Sequence, residues 1–224
     1  MADDYLSDRE QEEALRAWWR DNWRWIFGGI ALGVALLVGY FQWQDYRERT
    51  AQAASAEYAK VLSATEQNNV EEAQAALAAL AKDHDSSPYA QQGRLLVAKL
   101  HVDAGKYDEA AALLREVSDK SEDEEMAAIA KLRLARLMIQ QGKHDDAIAL
   151  LDVEKLGALG PAAREIRGDA NLAKGDQAAA RAEYAAALAA DDAQIDRPLL
   201  EMKLQEVGGA AVETTADSNA QGQP

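Results

Sequence analysis

Between Trp25 and Phe41 the chain reads WIFGGIALGVALLVGYF, seventeen residues without a charge, and no other feature limits the fold so strongly. With Gln42 and Trp43 the run reaches nineteen residues. At about 1.5 Å per residue it nearly crosses a hydrocarbon slab of about 30 Å, so it reads as a transmembrane helix over 25–43. Trp23 and Trp25 at one end and Tyr40 and Trp43 at the other suit the two headgroup boundaries. A cleaved signal peptide is the rival reading, since Ala51-Gln52-Ala53 and Ala54-Ser55-Ala56 are small-x-small strings. Both lie beyond the charged stretch Asp45-Tyr46-Arg47-Glu48-Arg49, and the leader carries Asp3, Asp4, Asp8, Glu10, Glu12 and Glu13 where a signal peptide is short and basic. A retained anchor is expected.

Orientation follows from the flanking cations: Arg9, Arg16, Arg20 and Arg24 before the span, Arg47, Arg49 and Lys60 after it. Arg16, Arg20 and Arg24 recur every four residues, which puts them on one helical stripe facing anionic headgroups. Residues 1–24 are therefore expected in the cytoplasm and the rest outside, in the periplasm of a Gram-negative host. Ser7-x-x-Glu10 has the form of a capping box before Leu15, Trp18 and Trp19, so 8–24 reads as an interfacial helix. Its Trp residues either anchor the membrane boundary or dock a partner. Inside the span, Gly29-x-x-x-Gly33 and Ala31-x-x-x-Ala35-x-x-x-Gly39 bring small residues round one turn apart, which would admit a second helix. Gly29, Gly33, Ala35 and Gly39 are thus the candidate partner contacts in the membrane.

The composition of the chain favours helix: 48 of 224 residues are Ala, and Val, Ile, Thr and aromatics seldom cluster outside the span. The fold class expected is all-α. A net charge of −15 argues against nucleic acid, whose phosphates need basic surface. The absence of Cys excludes disulfides, thiol redox chemistry and Cys-based zinc sites.

The soluble region repeats itself. Gly105-Lys106-Tyr107-Asp108-Glu109-Ala110, Gly142-Lys143-His144-Asp145-Asp146-Ala147 and Gly175-Asp176-Gln177-Ala178-Ala179-Ala180 each place Ala five residues after Gly. Their glycines lie 37 and 33 residues apart, and a further step of 37 back from Gly105 reaches Asn68, a residue tolerant of the left-handed conformation at a helix end. Helical runs flank each turn: 89–103 with 107–117, 126–141 with 145–151, and 162–174 with 177–190. Ser87-Pro88 and Gly160-Pro161 start first helices, and Ser121-x-x-Glu124 has the form of a capping box before the third pair.

A unit of this length with G-x-x-x-x-A at its turn resembles the tetratricopeptide repeat. Tyr107 and Ala110 match its turn, and Ala98, Ala135 and Gly168 match the small residue of its first helix. Ala187 fits its later small position, where Val117 and Glu154 do not, and His144 and Gln177 replace its aromatic. The acidic leader, the Trp-flanked span, the Ala-rich helix after it, Ala130-Lys131-Leu132-Arg133-Leu134-Ala135-Arg136, Leu172-Ala173-Lys174-Gly175-Asp176 and Met202-Lys203 together resemble the YfgM family. The resemblance runs from residue 1 to about 206. It implies a single-pass type II inner-membrane protein, an ancillary subunit of the SecYEG translocon with its repeat domain over 44–206 in the periplasm. It also implies association with a PpiD-type membrane-bound peptidyl-prolyl isomerase and with newly exported proteins. Residues 207–224, rich in Gly, Ala, Thr, Ser and Gln, read as a solvated, disordered tail.

Nothing in the sequence suggests catalysis. His84, His101 and His144 are too scattered for a metal motif, and Ser121-Glu122-Asp123-Glu124-Glu125 suits a helix N-terminus better than a calcium loop. No Walker loop, G-x-S-x-G elbow or G-x-G-x-x-G is present. No cofactor and no small-molecule substrate is expected, and an anchored hydrolase is the weakest functional class. Repeat arrays bind partners in a groove lined by first helices, so positions recurring before each turn Gly are the candidates. Lys99 and Arg136 share one, six residues before Gly105 and Gly142, with Asp169 at that place in the last unit. With few aromatics and many Ala methyls, binding there is expected to be broad and weak. The leading function is a membrane-tethered interaction module beside an export channel. The alternative is a structural envelope adaptor that dimerises and organises cell-wall or division machinery.

Overall fold

The computed structural model describes residues 3–190 and 195–208, with side chains from residue 9 onward. Its described residues form helices and turns and no strand. The helices are α1 (Asp3–Glu66), α2 (Val70–His84), α3 (Pro88–Asp103), α4 (Tyr107–Lys120), α5 (Glu124–Gln140), α6 (His144–Leu150), α7 (Gly160–Ala173), α8 (Gln177–Ala189) and α9 (Arg197–Glu206), with a 3-10 segment, Val153–Leu159, after α6. The chain divides into two units, Met1–Ala53 and Ala54–Pro224.

In the first unit, α1 already begins at Asp3, so Ser7 falls inside the helix and not at its start. The acidic residues ahead of Ser7 in sequence suit the positive end of a helix as well as a capping box would. α1 contains the one helical stretch among the described residues that is long and apolar enough to cross a membrane, and none of that stretch is buried by the protein. Trp25 is 82% exposed and Leu36 67%, a surface that water does not tolerate over such a length. Phe27 meets Trp23 and Trp19 edge-on, with ring centroids 6.0 and 6.5 Å away. At the other end the Arg47 guanidinium lies 4.7 Å from the centre of the Trp43 ring.

In the second unit, all four expected turn positions adopt the left-handed conformation: φ is +54° at Asn68, +74° at Gly105, +75° at Gly142 and +84° at Gly175. The hydrogen bonds repeat with them. The Gly105 and Lys106 N–H groups donate to Val102 and His101 carbonyls at 2.9 and 2.8 Å, and Gly142 with Lys143, Gly175 with Asp176, and Asn68 with Asn69 do the same one unit along. This closes off the last carbonyls of the first helix and turns the chain into the second. Ala73, Ala110, Ala147 and Ala180, five residues on, are all buried, as are Ala98 and Ala135 on the first helices. A methyl is all that fits where two helix backbones cross. At Gly168 not even a methyl fits, because a Cβ there would lie 2.3 Å from Tyr184 Cε1.

Three apolar clusters run along the array: Val61, Leu77, Leu80 and Val97 in the first; Leu114, Leu134, Leu151 and Ile166 in the middle; Tyr184, Leu188, Leu200 and Leu204 in the last. Arg94, 5% exposed, braces the first against the middle by pairing with Asp85 and, at 2.9 Å, with Glu116.

Local details differ from expectation. Asp123 caps α5, its carboxylate accepting from the Glu125 and Met126 N–H groups at 3.0 and 3.1 Å, while Ser121 Oγ accepts from the Asp123 N–H. The charged acceptor nearest the helix start displaces the hydroxyl two residues earlier. Helix α6 has only seven residues, and the 3-10 segment with Gly157 at φ +52° replaces its continuation. Glu154 therefore lies outside any second helix. Val207, assigned to the tail by composition, is 1% exposed and packs with Leu200 and Leu204, and its carbonyl accepts from Arg181 Nε at 3.0 Å. The rest of the expected tail, 209–224, lies outside the described residues.

Candidate functional site: the groove between α3 and α5

Helices α3 and α5 are first helices of neighbouring repeats, and a cavity of about 370 Å³ opens between them. Leu95, Ala98 and Val102 from α3, Leu114 from α4 and Leu137 from α5 make its apolar wall. Lys99, Arg133, Arg136 and Gln140 also line it. Lys99 and Arg136, expected from the repeat register, thus come together on one cavity. Lys99 Nζ donates to Asp103 Oδ2 at 2.7 Å across one helical turn. Arg133 and Arg136 are exposed and make no ion pair or hydrogen bond among the described residues. Below them Gln140 Nε2 donates to the Tyr107 hydroxyl at 2.8 Å and Gln141 Nε2 to Asp108 Oδ1 at 3.2 Å, tying α5 to the start of α4.

Arg133 was not singled out by the register, although the signal was there. It lies three residues before Arg136, so a helix puts both on one face. The third expected position, Asp169, is not part of this groove. Its carboxylate accepts from the Tyr184 hydroxyl at 2.8 Å and from Lys203 Nζ at 2.8 Å, and Lys203 reaches Glu165 at 2.6 Å. Helix α9 thereby covers the last unit. Burial, then the adjoining Asp169, hold the Tyr184 hydroxyl far above its ordinary pKa, so it stays a donor.

Along α3 and α5 the acids stand only at the ends, Asp103 closing α3 and Glu124 and Glu125 opening α5. From Pro88 to Val102 and from Met126 to Gln140 there is no Asp or Glu, whereas Arg94, Lys99, Lys131, Arg133 and Arg136 are basic. The neighbouring second helices carry more acids: Glu71, Glu72 and Asp83 in α2, Asp108, Glu109, Glu116 and Asp119 in α4, Asp145 and Asp146 in α6, while in the last unit the first helix α7 holds Glu165 and Asp169. A strongly acidic chain thus presents a basic groove. Another cavity, of about 470 Å³ between α1 and α2, mixes Lys60 with Glu72 among Ala methyls and Ser63. No trio of His, Asp or Glu is gathered for a metal ion among the described residues. His101 is buried, with Nδ1 unpartnered, and burial lowers its pKa.

In the membrane-type stretch, Gly29, Gly33 and Gly39 have open space where a side chain would stand, and Ala35 is exposed. No described residue comes within 4 Å of where a side chain would begin at the three glycines.

Residues 16–209 match the tetratricopeptide repeat-like domain family. The ancillary SecYEG translocon subunit of Escherichia coli is 28% identical over 200 residues, covering 89% of this chain and 96% of that one. This agrees with the YfgM resemblance drawn from the sequence. Among solved structures, nearly identical tetratricopeptide-like repeats of a kinesin light chain-type protein from Podosopora anserina superpose with a TM-score of 0.51 at 17% identity. The superposition covers 68% of this chain and 84% of that one. At that identity the likeness concerns the fold alone.

Proposed function

The chain belongs to the tetratricopeptide repeat-like domain family, and from that premise we propose that it is a membrane-anchored protein-interaction module, an ancillary subunit of the SecYEG translocon. The observation that carries this reading is the combination, in one chain, of an uncovered membrane-length apolar helix and a repeat array with an open groove. The translocon assignment draws further support from the Escherichia coli relative, which is matched along nearly its whole length. Anchoring supplies much of the binding, because confinement to one membrane raises the effective concentration of array and partner. Weak contacts then give high occupancy. On this reading residues 1–24 lie in the cytoplasm, 25–43 span the inner membrane, and the array in the periplasm links export to a PpiD-type isomerase and to newly exported proteins. No catalytic motif gives it a reaction to perform.

Photocrosslinkers at Gly29 and Gly33 in cells test the proposal. Adducts with channel subunits are expected. Adducts only with a second copy of this chain would instead establish the dimerising envelope adaptor.

A further inference from the structure

We infer that the groove between α3 and α5 takes an acidic peptide segment by one large apolar side chain, the carboxylates beside it resting on Arg133, Arg136 and Lys99. The inference deepens the interaction-module reading and rests on it. Leu95, Leu114 and Leu137 leave an apolar recess open to solvent, so an apolar side chain gains by entering it. Around the mouth stand three cations, two without partners among the described residues.

Long-range attraction points the same way. The chain carries −15 overall, so an acidic partner is repelled from most of its surface, whereas α3 and α5 carry acids only at their ends, Asp103, Glu124 and Glu125, with none from Pro88 to Val102 or from Met126 to Gln140. An acidic segment is accepted at this face and rejected at the acid-bearing α2, α4 and α6, which fixes where it binds as well as whether it binds. A basic segment would meet the opposite pattern. The guanidinium planes of Arg133 and Arg136 also suit carboxylates, which they grip through paired N–H donors. Anionic lipid offers the same charge, but a flat headgroup layer has no side chain to fill a recess between helices. The occupant is therefore a protein segment with acidic residues flanking Leu or Phe.

The test uses the full chain in mild non-ionic detergent and a fluorescent, end-blocked peptide, Glu-Glu-Leu-Phe-Glu-Glu, beside Lys-Lys-Leu-Phe-Lys-Lys and Gln-Gln-Leu-Phe-Gln-Gln. Blocked ends leave side-chain carboxylates as its only anions. The acidic peptide should bind at least about tenfold more tightly than the other two, and Arg133→Gln with Arg136→Gln should weaken it by about tenfold or more. A control pair, Arg115→Gln with Lys120→Gln, removes the same charge from α4 and should change affinity less than about threefold. All four positions are exposed, and helicity and melting of each variant are checked beside binding. Equal binding of the acidic and basic peptides, equal losses in both pairs of variants, or displacement by anionic lipid in mixed micelles of the same detergent as effective as by excess peptide would each overturn the inference. Channel crosslinks from Gly29 that persist in the Arg133, Arg136 variant would show that such a failure concerns the groove and leaves the anchored-module reading standing.

Discussion

Single side chains decide whether the repeat register is right. Ala110 is fully buried at the crossing of α3 and α4, whereas Ala112, two residues on in α4, is exposed. Ala110→Leu should cost about 1–3 kcal/mol through overpacking, and Ala112→Leu no more than about 0.5 kcal/mol. Urea midpoints that shift equally would remove the register. His101 supplies a pH dependence. Burial lowers its folded pKa from 6.5, opposed by Glu109 and assisted by Lys106. The unfolded chain takes up the proton first, so this residue has no effect on stability well above pH 6.5. Stability falls as pH drops below that value, and the loss levels off once pH is below the folded pKa. His101→Gln should therefore lose less stability than wild type between about pH 7.5 and 5. An identical loss in both would show that the fold leaves the His101 pKa where the unfolded chain has it.

At the scale of elements, the four turns were legible because each needs a left-handed residue followed at a fixed distance by a small one, and sequence displays both. Helix limits came out within a few residues for the same reason. What sequence did not display are contacts made over long separations or by competition. Lys203 meets Glu165 and Asp169 from 38 and 34 residues away, and nothing local to Met202-Lys203 announces those partners. The shortened α6 and the 3-10 segment after it depend on Leu151 turning into the middle cluster, where it is 1% exposed. The period alone put Lys99 and Arg136 at one recurring place, and both line the same cavity, but the apolar floor from Leu114 of α4 needed three helices in place. The α9 contacts carry their own prediction. Lys203→Met leaves two carboxylates without their cation and should destabilise the array by about 2 kcal/mol. Hydrogen exchange should quicken in α9 before it does in α3, and unchanged protection of α9 would show that Lys203 does not hold it.

For the whole molecule, two requirements meet in one chain. An apolar helix needs lipid or a partner helix around it, and a repeat array needs a partner to give its groove a purpose. The Gly29 and Gly33 positions separate a tether from a docking helix. If the span only tethers, side-chain identity does not matter so long as it inserts, because effective concentration depends on placement alone. If it docks, Leu at both positions parts the two helices while preserving hydrophobicity. The most direct measurement of the central claim is purification of the full-length chain from membranes in mild detergent, with SecYEG subunits quantified against an unrelated single-span protein at matched levels. The account expects the channel to be enriched with wild type and reduced with Gly29→Leu, Gly33→Leu. Recovery with wild type no greater than with the unrelated protein would contradict it.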